Sequence, residues 1–124
     1  MTELPISRPA PEGRSSRLWR AVAALAEPPP TAEEAKRRPA VQGLAENLVF
    51  EFDEAYTAFV EGFEALPTET QLLSLQAVDT HVSAMVGAKQ AALWTEEARR
   101  ESEEWQHVRK LARDVLGAFG WPAV

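Results

Sequence analysis

The sequence predicts an all-α fold: a helical bundle of about four helices with heptad-like seams, which a second copy can complete as a homodimer. Three observations carry this. Apolar residues recur at alternating spacings of four and three along two long stretches, 40–66 and 94–119. Helix-start patterns of the capping-box type stand at Thr31-Ala-Glu-Glu34 and Thr68-Glu-Thr-Gln71. No stretch alternates apolar and polar residues as a half-buried strand does, and no internal repeat is evident.

The chain has 124 residues, the size of one domain. Residues 1–14 hold Pro5, Pro9, Pro11 and Gly13 with little apolar content, and read as a flexible N-terminal arm. Residues 15–124 then form a single helical-bundle domain. Ser15 or Ser16 can cap a first short helix, in which Leu18, Val22 and Leu25 share a face. Pro28-Pro29-Pro30 ends it, because proline offers no donor and clashes with the preceding turn. The capping box at Thr31 starts another turn or two, and Pro39 breaks the path.

From Ala40 to Leu66 the seam runs through Val41, Ala45, Leu48, Phe52, Ala55, Phe59, Gly62 and Leu66. Pro67 stops this helix and the Thr68 capping box starts the next. The stretch Gln71–Trp94 carries only Asp79, Lys89 and the titratable His81, and a helix so poor in charge is expected to be surrounded. It is read as the central helix, or as the one that pairs with a second subunit. Thr95-Glu-Glu opens the last helix, with a seam at Trp94, Ala98, Glu101, Trp105, Val108, Ala112, Val115 and Phe119. Its stripe is rotated from that of the preceding helix, so either the chain turns near Trp94-Thr95 or one long helix serves two partners. Gly120-Trp121-Pro122 ends it.

Composition removes several kinds of function. There are no cysteines, hence no disulfide, thiolate metal site or cysteine nucleophile. No apolar run approaches the ~20 residues of a membrane span. The start of the chain has no basic region followed by an apolar one, so no signal peptide is expected and the cytoplasm is the default compartment. Richness in Ala, Arg, Glu and Pro points to a GC-rich, bacterial genome. Phosphate-binding glycine loops and nucleophile motifs are missing from the sequence. The chain therefore reads as non-enzymatic, with no cofactor and no small-molecule substrate. A carboxylate-only site is the one catalytic arrangement left open.

The Glu104-Trp105-Gln106-His107 stretch matches the E-x-x-H spacing that supplies metal ligands in ferritin-like bundles. With Glu101 it makes the candidate metal set Glu101, Glu104, His107. The apolar stripe passes through Trp105, however, so Glu104 and His107 are expected to face flank and solvent. A second such pair is missing: Asp79 stands two residues from His81, off its face. Nor can His81 and Met85, one turn apart, hold a haem iron from opposite sides. Glu101 interrupts the seam where an apolar residue belongs. A buried carboxylate needs a partner, and Lys89 or another base is expected to supply one, fixing helix register.

Charge is unevenly spread. The net charge is −6, and between Arg38 and Lys89 there is no Lys or Arg but eight acids. Glu46, Asp53, Glu54 and Glu61 fall opposite the seam with Phe50 among them, about 160° from its centre. This face is expected either to be merely solvated or to dock a protein partner with a basic surface, Phe50 serving as anchor. Eight acids are few for mimicry of nucleic-acid charge. The bases form only small clusters, at Lys36-Arg37-Arg38, Arg99-Arg100 and Arg109-Lys110 with Arg113, which argues against nucleic acid as partner. The expected function is thus a non-catalytic helical interaction protein: an adaptor, an accessory subunit or an inhibitor of a larger complex. The alternatives are a carboxylate-based, ferritin-like metal protein and a nucleic-acid-associated small subunit.

Overall fold

The computed structural model describes residues 14–37, 43–62, 67–87 and 91–122. Every regular element among them is helical: α1 (Arg14–Ala26), α2 (Ala32–Lys36), α3 (Leu44–Glu61), α4 (Glu69–Gly87), a 3₁₀ turn at Ala91–Trp94, α5 (Glu96–Glu101) and α6 (Glu103–Phe119). The long helices form three sides of a square. α1 packs against α3 on one flank and α6 on the other, and α4 packs on the far side of α6. The fourth side, between α3 and α4, is barely closed.

α1 can serve two neighbours because it is apolar on most of its circumference. Leu18, Val22 and Leu25 are buried, and so are the small Ala21, Ala23 and Ala26, which allow close approach. It begins at Arg14, so Ser15 and Ser16 lie inside its first turn and neither is the cap the sequence suggested. Arg14, the last residue of the expected arm, belongs to α1, and residues 1–13 lie outside the described residues. The Trp19 indole N–H donates to the Pro122 carbonyl (2.7 Å), fastening α1 to the segment after α6.

In α3 the expected seam is buried at Ala45, Phe52, Ala55 and Phe59. Its expected ends at Ala40, Val41, Phe63 and Leu66 lie outside the described residues. Both capping boxes act at helix starts. The Glu34 N–H donates to Thr31 Oγ1 (3.2 Å). The Thr68 box is reciprocal: Gln71 N–H donates to Thr68 Oγ1 (3.1 Å), and Thr68 N–H to Gln71 Oε1 (2.8 Å).

α4 is not the central helix. Leu75, Val78, Val82 and Met85 are buried against α6, but Leu73 and Val86 are more than half exposed. The central pair is α1 and α6. Low charge misled here because it marks a helix free of repulsion, not one covered on every side. The chain turns between α4 and α5, which settles the choice left open at Trp94-Thr95; Lys89 falls outside the described residues.

The last seam is not one helix either. Ser102 has φ −73° and ψ 147°, extended backbone that ends α5 and caps α6. Its Oγ accepts the Trp105 N–H (3.2 Å). Acids at Glu103 and Glu104 suit the first turn of α6. The register change leaves Glu101 exposed, so it neither interrupts a buried seam nor needs a buried base. The buried charge is Arg99, clamped by Glu96 through Nε–Oε1 (3.1 Å) and Nη2–Oε2 (3.2 Å). Three residues into α6, Trp105 is buried, and its indole N–H donates to the Leu93 carbonyl (2.6 Å). Trp94 meets its ring edge to face, centroids 5.8 Å apart. The helix ends in a Schellman motif: Gly120 has φ 68°, Trp121 N–H donates to Leu116 O (2.9 Å) and Gly120 N–H to Gly117 O (3.2 Å).

Two outcomes are expected from urea unfolding. Trp105→Ala should cost about 3–5 kcal/mol through the cavity it leaves. Trp105→Phe should cost about 1–3 kcal/mol, since the buried Leu93 carbonyl loses its donor. Separately, Ser102→Ala should cost about 1 kcal/mol by removing the α6 cap, while Glu101→Leu one residue earlier should stay within about 0.5 kcal/mol of the parent. A large loss for Glu101→Leu would restore the buried-carboxylate reading.

Candidate functional site

The open side of the square forms a trough of about 760 Å³ between α3 and α4. On α3 it is lined by Glu46, Val49, Phe50 and Asp53; on α4 by Asp79, Val82, Ser83 and Val86; Trp94 contributes from the 3₁₀ turn. At 100° per residue each helix commits an arc of about 100° to the trough. The floor is apolar: Val82 is buried, and Val49 and Trp94 are half-buried. Above it Phe50 and Val86 remain 57% and 55% exposed. Large apolar side chains at that exposure on facing walls form a contiguous patch rather than scattered surface residues. The charged groups on the walls are all acids, Glu46, Asp53 and Asp79.

The helix patterns explain this placement. α3 turns its seam towards α1, and the face some 160° away from that seam carries Phe50 and its acids. α4 turns Leu75, Val78, Val82 and Met85 towards α6 and leaves Asp79, Ser83 and Val86 on the adjoining arc. Of the sequence-predicted docking residues, the structure brings together Glu46, Phe50 and Asp53. Glu54 and Glu61 are exposed but fall beyond Phe50, outside the lined arc; they add to the field around the trough and not to its wall.

Sequence reasoning missed the whole α4 wall. The isolated Asp79 in a charge-poor helix was its only local signal.

Tyr56 stands at the edge of the same arc, stacked on Phe52 with centroids 5.6 Å apart. Burial holds its phenol above the ordinary value, and the Asp79 carboxylate adds to that. Asp79 thus acts electrostatically on the facing helix.

The E-x-x-H residues do not converge. Glu104 gives only its backbone carbonyl, which accepts the His81 Nε2–H (3.0 Å). His107 is exposed and meets the His81 ring edge to face, centroids 4.6 Å apart. Among the described residues no three His, Asp or Glu side chains cluster to hold a metal ion. Glu101 stands apart from both in α5. The basic clusters are partly consumed by the fold. Arg99 is buried on Glu96, Arg109 Nη1 donates to the Arg99 carbonyl (2.6 Å), and Lys110 pairs with Asp114 (3.1 Å). Burial first, then the Arg99 and Arg113 charges, lower the Arg109 pKa. A smaller depression of about 500 Å³ between α1 and α3 carries both signs, with Arg17, Arg20 and Glu51 in its lining. No described helix is long and apolar enough to cross a membrane. The chain matches no protein family, no characterised protein and no solved structure.

Tyr56 is the single tyrosine of the chain, so alkaline titration of phenol absorbance reports it alone. Its midpoint in the folded protein should lie above 10.0. Asp79→Asn should lower that midpoint but leave it raised, because burial is the larger cause. The folded state resists loss of this proton more than the unfolded chain does. The corresponding stability is therefore complete below the unfolded phenol's pKa and is lost as pH rises from there through the folded midpoint. A midpoint unmoved by Asp79→Asn would disprove the facing of α3 and α4 described here.

Proposed function

We propose that this chain is a non-catalytic interaction protein, an adaptor, accessory subunit or inhibitor, that holds a protein partner in the trough between α3 and α4. One observation carries the reading: the bundle leaves one of its four sides open, and that side has an apolar floor and acidic walls. A partner that covers Phe50 and Val86 removes their apolar surface from water, at roughly 25 cal/mol per Å². The ring of exposed Glu46 and Asp53 and half-buried Asp79 selects for a positively charged partner and speeds its approach.

The walls are rigid helices anchored on different supports, α3 on α1 and α4 on α6. Little ordering of this protein has to accompany binding, which favours affinity at a modest interface.

The test uses the full chain carrying Phe50→Ala and Asp53→Lys, expressed with an affinity handle in the native host. A stoichiometric partner that co-purifies with the parent should be lost from the variant. Truncating a central aromatic anchor is expected to cost about 2 kcal/mol or more, roughly 30-fold in affinity. Thermal stability should change little, since both side chains are exposed. Retention of the partner by a folded variant would remove the trough from consideration.

A further inference from the structure

We infer that the occupant of the trough is a basic amphipathic helix of a partner protein, and not a second copy of this chain. The inference rests on the reading of the trough as a docking face and names what docks there. Both walls are α-helices, whose backbone donors and acceptors are already paired along their length. An extended peptide therefore finds no strand edge to join, and recognition must come from side chains, as when a helix lies in a groove. The length suits this. Val60 lies on the same arc of α3 as Glu46, and is 43% exposed. The lined wall runs from Glu46 to Asp53, and the same arc of α3 continues to Val60, about 21 Å or four helical turns in all.

Charge decides between the candidate helices. α3 and α4 together carry seven acids and neither Lys nor Arg. That exceeds the chain's entire net charge of −6, so the remainder is close to neutral. In a two-fold dimer the same patch meets itself. Closing this face on its own copy would set carboxylates against carboxylates with no base between them, and such pairing is penalised. A foreign helix with Lys or Arg beside its apolar stripe meets no such opposition. The spacing is specific. Glu46 and Asp53 stand seven residues apart, two turns or about 10 Å, on the α3 wall, with Asp79 on the α4 wall. The complementary helix has apolar residues at i, i+3 or i+4, i+7 and i+11. It carries two bases seven residues apart on one flank and a third on the other.

The test uses three labelled synthetic peptides of about four turns and the full-length chain, read by fluorescence anisotropy. One peptide has a Leu stripe with Lys at the three flanking positions, one has Glu in place of each Lys, and one has Ser in place of each Leu. The Lys peptide should bind at least ~10-fold more tightly than either control, and added salt should weaken it. Phe50→Ala should reduce its binding by a similar factor. The doubly reversed variant Asp53→Lys with Asp79→Lys should exchange the preference, gaining the Glu peptide, an outcome that misfolding does not produce. Equal binding of Lys and Glu peptides by the parent, or a reversed variant with unchanged preference, would overturn the inference. So would a dimer in sedimentation that Phe50→Glu dissociates, since a second copy would then be the occupant. The two readings fail separately. A host partner that needs Phe50 but binds through a non-basic segment leaves the docking face standing and removes the basic helix. A host partner indifferent to Phe50 removes the face itself.

Discussion

The structure depends on where α6 begins. Ser102 is extended, so α5 stops there and α6 sets off in a new register, with its first turn capped by the Ser102 hydroxyl. Only from that start does Trp105 reach the Leu93 carbonyl and seal the junction between the 3₁₀ turn and the bundle. The same register brings Val108, Ala112 and Val115 into the core, where α6 touches α1 on one side and α4 on the other. α3 reaches the rest of the bundle chiefly through α1. The sequence of supports, α3 on α1, α1 on α6, α6 on α4, therefore ends with two helices that have no strong reason to meet.

They also have a reason not to meet. Asp53 and Asp79 line the same trough from opposite helices, and neither helix carries a Lys or Arg to neutralise them. Closing α3 on α4 would move these carboxylates out of water unpaired, and the loss of hydration would exceed what the nearby apolar contacts return. Burial first, and then the Asp79 charge on the facing helix, hold the Tyr56 phenol above its ordinary pKa. The same set of charges thus opposes closure of the fourth side.

Much of this was legible in the residues because it is local. The seam of α3 is buried at Ala45, Phe52, Ala55 and Phe59, and the Thr31 and Thr68 boxes cap the helices they announced. Phe50 with Glu46 and Asp53 could be assigned to one face by helical period alone. What failed was read from continuity. The four-three spacing from Trp94 to Phe119 persists across Ser102, so it concealed a helix break that Ser102 followed by Glu103 and Glu104 does announce as a cap and acidic first turn. That concealment created the apparent buried charge at Glu101 and hid the real one at Arg99. The α4 wall was out of reach for another reason. Which residues of α4 face Phe50 depends on the relative rotation of two helices set by α1 and α6, and no single-helix pattern encodes it. His81 and His107 meet on the same terms, 26 positions apart and brought together only by α4 packing on α6.

The width of the trough is in consequence a property of the core and not of the trough. α3 and α4 are held apart by the distance between their supports, and that distance is set where α1 meets α6. The contact can be close because small residues are buried around it: Ala23 and Ala26 lie about 140–160° round α1 from Ala21, which borders the α3 side, and Ala112 is buried on α6. Helices approach to about 8–10 Å depending on the side chains at the contact. Larger residues there would push the supports apart and, with them, both walls. Packed interiors yield little to such changes, so the core fixes the spacing. The trough thus gains its shape from residues that do not line it.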